Sequence, residues 1–273
     1  MRKIGLHLRL QDRVSELFKR AQSLDIGLFQ CFFIFQTTGK LISPSPEDIA
    51  ECRAMSSLFS MLILHGSYWI NLASHQTRHR ALERELNLAK KFGFTHLVLH
   101  SGSARGSESR EQSIDYLARS LNDVLKNEQD IQIVLENTAH GGMAIGSDLQ
   151  DFYLLKEKLE YPEKIKFCID TAHAFSYGYD ICNITDQNAF INLLDTTIGI
   201  DSIVLIHMND LVDRQGSRLD RHAIPGMGSL GQEVLQRFVK HPLLSHIPLI
   251  LELPLVSEQE ELEILQQIIN WHK

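Results

Sequence analysis

A single (β/α)₈ TIM barrel of the α/β class, with its active site at the C-terminal face of the strands, is the fold this sequence predicts. Three observations predict it. Eight short runs rich in Ile, Leu, Val and Phe recur along 273 residues, a longer amphipathic stretch follows each, and no linker or low-complexity segment divides the chain. The runs are continuous rather than alternating, which means burial on both faces, as in a parallel sheet. Hydrophobic residues make up 44% and charged residues 22%, so a large core is available and disorder is excluded. A doubly wound sheet is the runner-up architecture.

In chain order, the expected strands cover 3–8, 27–34, 60–65, 95–100, 131–136, 165–170, 202–207 and 248–253. Helical patterns lie between them near 12–24, 46–57, 76–92, 109–127, 147–159, 185–198, 230–241 and 257–271. Ser257 followed by Glu258, Gln259 and Glu260 reads as an N-cap with an acidic first turn. Asp148 and Asp186 stand near the starts of two other helices. One domain over 1–273 is the economical reading.

The formal charge is −7, from 27 basic and 34 acidic residues. That balance excludes a polybasic nucleic-acid binder unless metal is bound. Cys31, Cys52, Cys168 and Cys182 form no C-x-x-C pair, and reduced thiols are expected. The segment Met1–His7 lacks the apolar stretch of a signal peptide, and no run reaches the ~18 apolar residues of a membrane span. A cytoplasmic protein is expected. The 13 histidines prompt a search for metal ligands.

The strand ends answer that search. Strands three to eight run into His65, His100, Glu136, Asp170, His207 and Glu252. A lone His or Asp ending a strand is most often a hydrogen-bonding residue. Six in succession, all of metal-ligand type, would repel one another or go unsatisfied at one rim without a cation. His173 follows Asp170 by three residues, and Asp220 and His222 share a side of an extended loop. His75 and His79, spaced i, i+4, read as a solvated helix face, while His140 stays outside the ligand set. His7 ends the first strand and is a candidate contact to ligands or substrate.

These residues stand in segments that resemble the endonuclease IV family of apurinic/apyrimidinic endonucleases. The segments are His65-Gly66-Ser67-Tyr68-Trp69-Ile70-Asn71, His100-Ser101-Gly102-Ser103, Glu136-Asn137-Thr138-Ala139 and Cys168-Ile169-Asp170-Thr171-Ala172-His173-Ala174-Phe175. They continue with His207-Met208-Asn209-Asp210, Gly216-Ser217-Arg218-Leu219-Asp220-Arg221-His222 and Leu251-Glu252-Leu253-Pro254. The resemblance implies a three-zinc barrel that hydrolyses the phosphodiester 5′ to an abasic site in double-stranded DNA, leaving a 3′-hydroxyl, in base excision repair. It implies that His65, His100 and Glu136 hold one zinc ion. Glu136 would bridge to a second, completed by Asp170, His207 and Glu252, and His173, Asp220 and His222 would hold the third. His65, Glu136, Asp170 and Glu252 would be catalytic, Tyr68, Gln36, Lys40 and Arg221 would contact DNA, and the enzyme would act as a monomer.

Charge agrees with more than one ion. Glu136, Asp170, Asp220 and Glu252 bring four negative charges, which one divalent ion leaves repelling a phosphodiester and three turn net positive. Three loops depart from the family's pattern. After the first strand stands His7-Leu8-Arg9-Leu10-Gln11-Asp12-Arg13 in place of a small Gly-containing loop opening His-Val-Ser. After the second stands Phe33-Ile34-Phe35-Gln36-Thr37-Thr38-Gly39-Lys40, without the family's lesion-entering Arg. After Asp210 stand Leu211 and Val212 instead of Ser or Ala followed by Lys. Two other readings stay open: a one-metal sugar isomerase or epimerase using Glu136, Asp170, His207 and Glu252, and a non-catalytic DNA-binding relative of the nuclease.

Overall fold

The first strand pairs with both the second and the last, so the sheet closes without an edge. In the computed structural model, which describes residues 2–35, 38–75, 79–104, 109–128 and 130–272, the eight barrel strands are β1 (Ile4–His7), β2 (Leu28–Cys31), β3 (Met61–His65), β4 (His96–His100), β5 (Gln132–Glu136), β6 (Lys166–Asp170), β7 (Ile203–His207) and β8 (Leu249–Leu251). Every neighbouring pair is parallel, in the order 1–2–3–4–5–6–7–8 and back to 1. The helices α1 (Val14–Ser23), α2 (Pro46–Met55), α3 (Arg80–Phe92), α4 (Arg110–Asn127), α5 (Leu149–Lys158), α6 (Thr171–Tyr177), α7 (Ile184–Thr197), α8 (Gly231–Lys240) and α9 (Glu258–Trp271) lie in the connections and after β8.

Two layers of packing follow from the period-2 alternation of each strand. Inside the barrel, Leu28, Ile63, Val98, Val134, Cys168, Leu205 and Ile250 form one buried cluster. β1 contributes Gly5 to this plug, where a Cβ would lie 2.3 Å from the Leu28 carbonyl oxygen, so only glycine fits. The opposite faces pack on the helices, as where Phe18, Phe29, Phe59 and Phe94 meet edge to face. α3 buries Leu82, Leu86, Ala89 and Phe92 along one stripe and stops at Gly93, whose φ of 83° lies in the left-handed region. Each fully buried Leu or Phe contributes about 1.5–3 kcal/mol.

Several expected boundaries change for local reasons. The second apolar run does not continue as one strand to residue 34. Phe33 turns onto Phe92 and Phe94, and Ile34–Phe35 pairs antiparallel with Lys40–Leu41. The last strand stops at Leu251, leaving Glu252 one residue beyond it. Ser257 caps α9 in a full capping box with Glu260, and Asp148 caps α5. Asn183, rather than Asp186, caps α7. Residues 76–78 of the expected third helix lie outside the described residues. Among the described residues, no helix is long and apolar enough to cross a membrane.

Candidate metal centre

The alternation that fills the barrel also furnishes its mouth. Two residues beyond each plug position, on the same face, stand His7, Gln30, His65, His100, Glu136, Asp170, His207 and Glu252. Register places His100 beside Glu136, and Asp170 beside His207. Potential ligand atoms of His65, His100 and Glu136 lie within 4.8 Å of one another, as do those of Glu136, Asp170, His207 and Glu252. A third such group joins Asp170 to His173 and His222.

Short loops bring in the residues that no barrel strand carries. Asp170 caps α6 by accepting from His173 N at 2.7 Å, and that first turn carries His173 back toward the site. His222 opens a two-residue strand that pairs antiparallel with Asp210–Leu211. The buried Asp210 carboxylate fixes the following loop by accepting from Gly226 N, Gly228 N, Leu230 N and Gly231 N at 2.9–3.1 Å. Gly228 is required there, since a Cβ would meet Asp210 Oδ1 at 2.5 Å. Asp220 then lies 3.2 Å from His173 Nε2 and 3.1 Å from His222 Nε2. All nine residues expected as ligands therefore meet at one mouth.

The hydrogen bonds orient donor atoms inward. His65 Nδ1–H donates to Gly66 O at 2.9 Å, leaving Nε2 at 3.1 Å from Glu136 Oε2. His173 Nδ1–H donates to Asn137 O at 2.8 Å, leaving Nε2 toward Asp220. Asn209 donates to Asp170 Oδ2 at 2.5 Å and to Glu252 Oε2 at 3.0 Å. Such partners set which nitrogen or oxygen faces an ion.

Without ions the charges compensate one another. Burial works against the charge on Glu136, but His207 and His100 hold its carboxyl well below the usual range. Burial likewise opposes the charge on Asp220, yet the His173 and His222 imidazoles close against it lower its pKa. Burial disfavours the His222 cation, and Asp220 with Asp170 outweighs it, raising the group to about 9. Burial also opposes the cations of His65, His173 and His207, yet neighbouring carboxylates push the first two above the ordinary imidazole value, and the Cys168 sulfur together with Glu252 and Glu136 does the same for His207. Asp170 moves the other way: burial raises it, and His173 and His222 only partly offset that.

Divalent cations fit this donor set. His173 Nε2 and His222 Nε2 are buried with no hydrogen-bond partner, although both converge on Asp220. Buried polar atoms left unpaired are costly, and an ion between them and the carboxylate would satisfy all three. Imidazole and carboxylate donors suit zinc.

The residues expected at DNA separate in the structure. Tyr68 is 66% exposed, with its ring 6.1 Å from that of His65, and Trp69 beside it is more exposed still. Their turn is held by Ser67 N, which donates to the buried Glu85 carboxylate at 3.1 Å. Lys40 is exposed in the two-residue strand that pairs with Ile34–Phe35, and the preceding Gly39 approaches Trp69. Gln36 lies outside the described residues. Arg221 is tied by two nitrogens to Asp213. Leu211 is buried in its short strand pair, whereas Val212 is exposed.

Residue-type reasoning missed Gln30, Asn137, Asn209 and Cys168 as parts of the centre. Gln30 is wholly buried against His7, His207 and Glu252. The Cys168 sulfur lies within 4.8 Å of ligand atoms of Glu136 and His207, and burial raises it to about 12, so it stays protonated. The two-residue step from each plug position was the available signal for Gln30.

The family described as xylose isomerase-like TIM barrel matches residues 18–273. A protein from Thermosipho africanus (strain TCF52B) named probable endonuclease 4 is 32% identical over 281 residues, spanning 97% of this chain and 99% of its own length. The chain belongs to the endonuclease IV family. Another probable endonuclease 4 of this family, from Halorhodospira halophila (strain DSM 244 / SL1), is 32% identical over 93% of the chain and 89% of its own length. The crystal structure of endonuclease IV from Thermus thermophilus superposes with a TM-score of 0.83 at 26% identity, covering 98% of each chain. D-psicose 3-epimerase from Clostridium cellulolyticum shares the barrel at a TM-score of 0.67 and 11% identity, covering 99% of this chain and 98% of its own, a likeness of fold alone. Endonuclease IV membership makes this chain a nuclease of the hydrolase class.

Proposed function

We propose that this chain is a DNA repair endonuclease that hydrolyses the phosphodiester 5′ to abasic sites in double-stranded DNA, leaving a 3′-hydroxyl. It acts as a cytoplasmic monomer in base excision repair. The observation that carries the reading is the convergence of nine His, Asp and Glu side chains at one barrel mouth in a chain of this family. His65, His100 and Glu136 would hold one zinc ion, Glu136, Asp170, His207 and Glu252 a second, and His173, Asp220 and His222 a third. Bound there, the ions would supply Lewis acidity and a nucleophile at neutral pH.

The chain's own groups do the rest. Asn209 fixes the inward oxygens of Asp170 and Glu252, and Asn137 donates to Asp170 O while its own Oδ1 accepts from Asp170 N. A cavity of about 260 Å³, lined by His7, Arg9, Phe32, Tyr68, Asp220 and Glu252 among others, opens beside the ligands and admits the reacting part of the backbone. Tyr68 at its wall and the exposed Trp69 next in sequence offer flat apolar faces to bases exposed at a lesion, where stacking is worth about 1–3 kcal/mol per base. Lys40 adds a positive charge next to Gly39, which approaches Trp69, and Arg221 would add another once released from Asp213.

The quartet of Glu136, Asp170, His207 and Glu252 alone would suit a one-metal isomerase. That reading leaves His65, His100, His173, Asp220 and His222 without a purpose. Metal analysis separates the two. We expect about three zinc ions per chain and incision of a duplex bearing one abasic site. One ion per chain with no incision would overturn the proposal.

A further inference from the structure

Gln30 is the one uncharged, non-imidazole side chain among the eight that the strands turn into the mouth, and it is 0% exposed. Its amide bridges three members of the centre. Nε2 lies 2.7 Å from Glu252 Oε1 and 2.9 Å from His7 Nδ1, and Oε1 lies 2.9 Å from His207 Nε2.

The orientation of that amide follows from what each neighbour can do. An ionised carboxylate only accepts, so the NH₂ of Gln30 must face Glu252. Its carbonyl oxygen must then face His207, and His207 Nε2 must carry a proton to donate to it. The other nitrogen, Nδ1, points the opposite way, 2.7 Å from Glu136 Oε1, 3.5 Å from Glu252 Oε2 and 3.9 Å from Asp170 Oδ2. That is the nitrogen an ion among these four residues would use, and its lone pair is available only while the proton stays on Nε2.

We infer that Gln30 is a positioning residue that holds the proton of His207 on Nε2 and so presents Nδ1, together with the Glu252 carboxylate, to the ion of the Glu136–Asp170–His207–Glu252 site. The inference rests on the metal-centre reading proposed above. It is selective, because Gln30 hydrogen-bonds two residues of this quartet and, among the described residues, makes no hydrogen bond to His65, His100, His173, Asp220 or His222. Methionine at this position would match its length and remove both the acceptor and the donor.

Two measurements test it. The first uses the zinc-loaded protein labelled with ¹⁵N at histidine and reads which nitrogen of His207 carries the proton. A proton on Nε2 is expected, and a proton on Nδ1 overturns the inference. The second titrates the zinc-loaded protein and its Gln30→Met variant with a chelator. We expect one ion to be lost from the variant at about 10–100-fold weaker affinity, the scale for outer partners of a ligand, with the others retained as before. Equal retention of every ion, or weakening of all of them together, overturns it. If Gln30→Met does not fold, the nitrogen measurement decides. An unaltered protein that holds no zinc overturns the metal-centre reading itself.

Discussion

Glu136→Gln is the substitution that strikes the centre where most of it meets. Oε2 of Glu136 lies 3.1 Å from His65 Nε2 and 3.0 Å from His100 Nε2, and Oε1 lies 2.7 Å from His207 Nδ1. Glutamine keeps the volume and one acceptor. The less costly orientation points its oxygen at the His65–His100 pair and its NH₂ at His207. That removes the anionic oxygen on the His207 side and one unit of the negative charge that two ions would share. A hundredfold in rate corresponds to about 2.7 kcal/mol, so incision should fall by more than ~10²-fold, the scale for losing a main electrostatic contributor. The assay is single-turnover cleavage of a duplex with one abasic site, alongside circular dichroism and zinc content. A folded variant that cuts within a few-fold of the unaltered protein would refute the bridging role.

Other outcomes follow from the same structure. In the metal-free protein, His222 has a folded pKa of about 9, above the ordinary 6.5. Its stabilising contribution is complete below the unfolded value and is lost as pH rises through about 9. Melting temperature of the chelator-treated protein should therefore drop between those values, and a rise would contradict the pairing with Asp220. Asp210→Asn turns an NH₂ toward backbone N–H groups that now donate to a carboxylate, and should cost about 2–4 kcal/mol in denaturant unfolding. Tyr68→Ala should weaken binding to abasic duplex by about 5–150-fold, the range for one lost stacking contact, with zinc content unchanged. Asp213→Asn should free Arg221 and steepen the salt dependence of DNA binding by about 0.9, the increment for one phosphate contact, whereas an unchanged slope would place Arg221 off the DNA.

The barrel was legible because each strand is a continuous apolar run, and burial on both faces leaves that mark whatever the neighbours. The nine ligand-type residues were legible because five of them end strands and a sixth, Glu252, follows the last strand by one residue. The hairpins were not. Ile34–Phe35 and Lys40–Leu41 are two-residue pairings, too short to impose a period, and the first of them is fused to the β2 run. α6 escapes for a related reason: seven residues starting from a metal-type Asp look like a loop until Asp170 is seen capping it. Gln30 escapes because glutamine is not a ligand, although the residue two before it, Leu28, belongs to the plug just as Ile63 does two before His65. Arg221 reads as a free cation in the sequence, since its pairing with Asp213 depends on a loop fold that the sequence does not spell out.

The seam between β1 and β8 has a consequence for the order in which the protein is made. His7 and Gln30 emerge from the ribosome early, yet their partner Glu252 follows 245 and 222 residues later. Until that last strand is translated, the quartet lacks its fourth member. An ion held by that quartet would thus form no nucleus around which the nascent chain gathers, as zinc does in small finger domains. The apolar plug and the helix layer must bring the ends together first, and an ion bound there would lock a ring that has already closed.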